Sequence, residues 1–99
     1  MKYDYKILLQ TDRFVLIKHI TIDGKSVKNQ YSFGTVTDFE SWKNNRGGFP
    51  ISEYYITAEE MIDRIEAWKK IDEKYSDVNN TYEIEQKVID ILKAELKRQ

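Results

Sequence analysis

The stretch FVLIKHITIDGKSVKNQYSF, residues 14–33, decides the fold. Phe14, Leu16, Ile20 and Ile22 fall on one side of an extended segment, and Val27, Tyr31 and Phe33 fall on one side of the next. Alternation with period two marks strands with one face buried. Between them stands Asp23-Gly24, a two-residue hairpin signal, because glycine supplies the positive φ of a type I′ turn. That turn pairs Ile22 with Lys25, Ile20 with Val27, Lys18 with Asn29, Leu16 with Tyr31 and Phe14 with Phe33. Apolar residues meet apolar residues, and a slip of one residue would turn the whole set outward.

Working toward the N-terminus, Tyr3, Tyr5, Ile7 and Leu9 form a further alternating set. A turn at Thr11-Asp12 pairs Leu9 with Phe14, Ile7 with Leu16, Tyr5 with Lys18 and Tyr3 with Ile20, so the apolar faces agree again. Thr-Asp is a poor type I′ turn, which leaves room for a longer loop. The expected front face is therefore shared by all three strands, with Lys18 as its odd residue between Tyr5 and Asn29, snorkelling past the core or resting on a tyrosine ring.

Beyond the sheet, residues 37–56 read as irregular. Thr37-x-x-Glu40 has the form of a capping box and could open a short helix through Phe39 and Trp42. Asn44 to Gly48 reads as a loop closed by Pro50, and Ile51–Ile56 as a candidate short fourth strand. Two helices follow. Thr57-x-x-Glu60 is a second capping box, and Ala58, Met61, Ile62, Ile65, Trp68, Ile71 and Tyr75 recur at helical spacing. After a turn at 76–80, Asn80-x-x-Glu83 caps a second helix with the stripe Ile84, Val88, Ile89, Ile91, Leu92 and Leu96. The short connection favours an antiparallel pair. The expected fold is α+β: a three- to four-stranded antiparallel β-meander followed by two antiparallel helices packed on one face. It forms one domain over 1–99, with a meander at 1–36, an irregular segment at 37–56 and a helical hairpin at 57–99.

Composition bounds the function. Hydrophobic residues make up 40% and the net charge is −1, a balance that argues against a disordered chain. Without cysteine there is no disulfide framework and no thiolate metal site. No apolar run suits a membrane span, and the opening MKYDYKILLQTDR lacks the apolar core of a signal peptide, so the cytoplasm is the expected compartment. Residues 1–50 carry eight bases and five acids, and 51–99 carry eight bases and twelve acids, so a mildly basic strand half precedes an acidic helical half.

No Gly-x-Gly-x-x-Gly, P-loop, His-Glu-x-x-His or EF-hand pattern is present, and no catalytic, cofactor or metal residue is assigned. His19 lacks companion ligands at metal spacing. As a base it has only Ser26 nearby through the hairpin, so it reads as an outward-facing surface residue. Most helical carboxylates, Glu85 and Glu95 among them, sit at spacings that suit ion pairs on solvated faces.

The informative surface is the back of the sheet. Leu8, Val15 and Ile17 form an apolar patch there, ringed by Lys6, Arg13, His19 and Lys28. A sheet with one solvated face should be more polar. Either a helix or the 37–56 segment covers the patch, or it is a contact site for another protein or a nucleic acid. Arg46 and Phe49, in a basic and aromatic loop, extend the candidate contact set to Leu8, Arg13, Val15, Ile17, His19, Lys28, Arg46 and Phe49.

The expected function is a small non-enzymatic protein-binding module. A composition rich in Ile, Lys, Asn and Tyr suits a phage or mobile-element protein that docks on and modulates a host protein. The alternatives are a nucleic-acid-binding domain using the basic back face, and a ligand-binding or enzymatic pocket between the sheet and residues 37–56. A homodimer through an exposed sheet edge is a further expectation.

Overall fold

The computed structural model describes residues 3–22, 24–45, 56–74 and 81–98. The chain divides into two compact units, residues 1–57 and 58–99. The boundary falls one residue from the start expected for the helical hairpin.

The first unit holds a four-stranded antiparallel sheet, with β1 (Tyr3–Gln10), β2 (Phe14–Ile22), β3 (Lys25–Ser26) and β4 (Tyr31–Thr35), followed by α1 (Val36–Asn45). Central β2 pairs with β1 on one side and with β3 and β4 on the other. The expected α+β class and the antiparallel meander are both present.

The hairpin after β2 begins as its turn dictates: Ile22 pairs with Lys25, and Gly24 has a φ of +77°. Further along, two extra residues enter the second arm around Asn29, whose φ of 56° lies in the left-handed region that asparagine tolerates. Leu16 therefore meets Phe33 rather than Tyr31, and Phe14 meets Thr35. An even shift preserves the faces, so Phe14 and Phe33 still stack diagonally, centroids 5.6 Å apart.

The β1–β2 connection is longer than two residues. Thr11, Asp12 and Arg13 form the loop, and the Thr11 hydroxyl accepts the Arg13 and Phe14 N–H groups at 3.2 and 2.9 Å. Leu9 meets Leu16, again an even shift. Beyond it the register breaks at Leu8, and from there Ile7 meets Ile17, Lys6 meets Lys18 and Tyr5 meets His19. This odd shift, a β-bulge, carries Tyr5 from its expected face to the opposite one. Lys18 consequently lies between Lys6 and Tyr31, not between Tyr5 and Asn29.

The short helix expected through Phe39 and Trp42 is present as the ten-residue α1, which starts at Val36, one residue before the segment read as irregular. Its cap is Thr35, not Thr37: the Thr35 hydroxyl accepts the Asp38 N–H at 3.1 Å. The Val36 N–H donates to the Arg13 carbonyl at 2.8 Å, which ties the helix start to the β1–β2 loop. Thr35→Ala should cost the first unit about 1 kcal/mol, the usual worth of an N-cap, read as a lower urea midpoint at unchanged slope.

Of the candidate fourth strand, Ile56 makes one antiparallel bridge to Tyr31, with reciprocal N–H to carbonyl bonds of 2.8 and 2.9 Å. Residues 51–55 lie outside the described residues. The β4 edge, expected to be open, is thus occupied at Tyr31, and β1 is the long outer edge of the described sheet. Its bulge at Leu8 disturbs the flat geometry that edge pairing needs.

The second unit holds α2 (Ala58–Lys74) and α3 (Thr81–Arg98). Thr57 stands in the N-cap position of α2, while Asn80 lies outside the described residues. Ala58, Met61, Ile62 and Ile65 of α2 are buried, as are Val88, Ile89 and Leu92 of α3. Glu85 and Glu95, expected on solvated faces, are also buried, because 85, 88, 92 and 95 form one heptad row. Arg98 donates to the Glu95 carboxylate at 3.3 Å from an exposed position. Among the described residues, no helix is long and apolar enough to cross a membrane.

Candidate functional site

The back face of the sheet is not a surface. Val15, Ile17 and His19 are 0, 0 and 1% exposed. The cover is α1: Phe39 and Trp42, one turn apart, pack with Val15, Ile17 and Tyr5. The Tyr5 ring meets Phe39 edge-on at 5.6 Å and Trp42 at 5.5 Å, and Trp42 meets His19 edge-on at 6.2 Å. Of the two covers open to the sequence, the 37–56 segment supplies the observed one. Tyr5 takes part only because the Leu8 bulge turned it over.

The other candidate contact residues scatter. Leu8 is partly buried at the bulge, Lys28 is exposed beyond β3, and Arg13 is exposed at the β1–β2 loop with its guanidinium 5.4 Å from the Phe14 ring. Arg46 and Phe49 lie outside the described residues. The eight positions therefore do not assemble into one open patch: three are core, and the exposed bases stand at separate ends of the sheet.

His19 is the chemically distinctive residue. Its Nε2 lies 2.8 Å from the Ser32 hydroxyl, a cross-strand pair brought together by Ile17 meeting Ser32. The expected neighbour Ser26 is instead exposed in β3. Burial disfavours the charged ring and lowers the His19 pKa to about 4. A histidine and a serine at this distance resemble a base and its nucleophile. Here Ser32 is 0% exposed, and a carbonyl substrate has no path to its hydroxyl while α1 is in place. The pair is a hydrogen bond inside the core, satisfying two polar groups that sheet pairing and α1 have removed from water.

Open apolar surface occurs elsewhere. Ile7 and Ile20 are 42 and 46% exposed, but one faces with Ile17 and the other stands at the second β-bulge, so they make no common patch. On α2, Trp68 and Ile71 are 51 and 55% exposed. The sequence placed both in the core stripe. They sit one step around the helix from the buried row Met61, Ile62 and Ile65, and they share a surface row with exposed Arg64 at i, i+4 and i+7. Nothing in the apolar periodicity separates flank from centre, so the pattern alone could not reveal this exposure.

The second unit also has a cleft of about 210 Å³ between its helices, lined by Glu66, Lys69 and Lys70 of α2 and Gln86, Ile89 and Lys93 of α3. Ile89 is buried and supplies an apolar element, while the other lining residues are polar. Among the described residues, no group of three His, Asp or Glu side chains is placed to hold a metal ion. Comparison with protein-family models, curated proteins and solved structures finds no match in any of the three.

Proposed function

We propose that this protein is a small non-enzymatic protein-binding module whose contact surface is the outer face of α2. The observation that carries this reading is the pair Trp68 and Ile71, two large apolar side chains half-exposed one turn apart. Leaving a tryptophan and an isoleucine half-exposed to water is unfavourable, and removing them from water on docking is worth about 25 cal/mol per Å². Tryptophan and arginine are also the residues most enriched at binding hot spots, and Arg64 shares the row. Lys74 closes the same end of α2 with a second exposed base. A complementary partner offers an apolar pocket for Trp68 with acidic groups at its rim.

The test compares wild-type protein with Trp68→Asp and with Lys87→Glu, a charge change on α3 away from the row. Tagged versions are used to capture partners from the source cells, and each captured protein is then titrated against purified variants. Trp68→Asp should weaken a genuine partner by roughly 30-fold or more, the effect of losing an aromatic hot spot. Its thermal unfolding should stay close to wild type, because the position is half-exposed. A partner bound equally well by wild type and Trp68→Asp would overturn the assignment of this face.

A further inference from the structure

β1 pairs with β2 on one side, and among the described residues no strand pairs with its other side. An open edge of this kind is a template for another strand. Its phase can be read from the hydrogen bonds. The Asp4 N–H donates to the Thr21 hydroxyl, so it points toward β2. The His19 N–H donates to the Gln30 carbonyl, away from β1, so the backbone groups of the next residue, Lys18, turn toward β1, where they meet Lys6. Asp4 and Lys6 therefore face β2. Backbone groups alternate along a strand, so those of Tyr3, Tyr5 and Ile7 point outward. The extra residue Leu8 ends this regular run. Asp4, Lys6 and Ile7 are exposed.

An antiparallel partner must match outward groups with outward groups. For two copies of β1 overlapping by at least three residues of the run, the registers left are those centred on residue 4, 5 or 6. The first sets Asp4 against Asp4, and the last sets Lys6 against Lys6. Centring on Tyr5 sets Asp4 of each copy against Lys6 of the other and uses the whole run. These charges occupy the pairs without backbone bonds, where side chains approach most closely. Ile7, 42% exposed, gains the Tyr5 ring of the second copy as a diagonal neighbour.

We propose that β1 pairs with β1 of a second copy of this chain, antiparallel about a two-fold axis at Tyr5, joining two sheets into one. The interface is isologous, as in most closed dimers. Each dimer uses up both β1 edges, and Ile56 occupies the opposite edge at Tyr31, which favours a closed dimer over a filament.

Sedimentation velocity of the full chain tests this over a concentration series up to about 1 mM, because so short an interface is weak. The chain should pass from monomer to dimer, and the Tyr5 and Ile7 amides should exchange with solvent more slowly as the dimer fills. Asp4→Lys and Lys6→Asp should each weaken self-association about tenfold or more, because each turns two opposite-charge pairs into like-charge pairs. An equimolar mixture of the two variants should associate as wild type does, since one then offers only bases and the other only acids at these positions. That recovery separates a lost interface from a lost fold. A chain that stays monomeric throughout the series would overturn the proposal. So would a dimer that leaves Tyr5 and Ile7 exchange unchanged, as one through the Trp68 face would, a dimer insensitive to either charge reversal, or a mixture no more associated than its components.

Discussion

Val15→Asp should unfold the first unit rather than merely alter a surface. Val15 is 0% exposed and packs with Ile17, Phe39 and Trp42 beneath α1. A carboxylate there would lose its hydration with no cation provided in the cluster, and an unpaired buried charge is among the few single changes that cost about 4 kcal/mol or more. A small domain holds only about 5–15 kcal/mol in total, so a loss of that size is a large part of it. The two tryptophans make the outcome readable: Trp42 is buried in the first unit and Trp68 is exposed in the second. In a Trp68→Phe background, Val15→Asp should shift Trp42 emission to that of a solvated indole and remove its near-ultraviolet signal. Val15→Ala, which leaves a small cavity, should cost about 2 kcal/mol and keep the fold. Retention of a native Trp42 signal in Val15→Asp would mean that α1 does not seal the back of the sheet.

That prediction marks where the sequence was legible and where it was not. Alternation over 14–33 and the Asp23-Gly24 turn identify the hairpin, and Ile22 meets Lys25 as the turn requires. Both register errors along the strands that are even, at Leu9 and at Leu16, leave the inward face intact, because side chains alternate with period two. The odd break at Leu8 is different. A bulge depends on how two strands accommodate twist and neighbours, and Leu8 has no residue type that announces it. That one residue sends Tyr5 to join Phe39 and Trp42 and completes the aromatic cluster on the back face, for which the sequence offered both a cover and a contact site.

The helix that covers this face was visible only in outline. Phe39 and Trp42 at i and i+3 mark a helical stripe, but the cap three residues from Asp38 is Thr35, at the end of a strand. A strand that runs directly into a helix hides the boundary, since Thr35 serves both β4 and the cap. The candidate contact surface moved for a related reason. Trp68 and Ile71 continue the spacing of a core stripe, and periodicity reports which residues share a side, not how far the cover extends. The cleft at Lys70 and Lys93 required the pairing of two helices, which no linear spacing displays.

His19 should make the first unit acid-sensitive well above the pH at which carboxylates titrate. In the unfolded chain its pKa is 6.5, and in the fold burial lowers it to about 4. The folded state therefore binds fewer protons than the unfolded state between these values. Stability is full above pH 6.5, falls as the pH drops through the window, and levels off below about pH 4. Linkage gives a loss of about 2 kcal/mol from pH 7 to pH 5 and about 3 kcal/mol across the window. The structural cause is specific: the protonated ring would keep its charge next to Trp42 and Ser32 in a core closed by α1. Urea denaturation followed by Trp42, again in the Trp68→Phe background, gives the stability at each pH. Between pH 7 and pH 5 most carboxylates of ordinary pKa stay ionised, so the slope belongs mainly to the one histidine. His19→Gln keeps a hydrogen-bonding side chain near Ser32 and has no proton to gain, so its stability should be lower at pH 7 but nearly flat down to pH 5. A wild-type curve as flat as that of His19→Gln would show that the ring reaches water or takes up its proton inside the fold, and the sealed back face of the sheet would have to be abandoned with it.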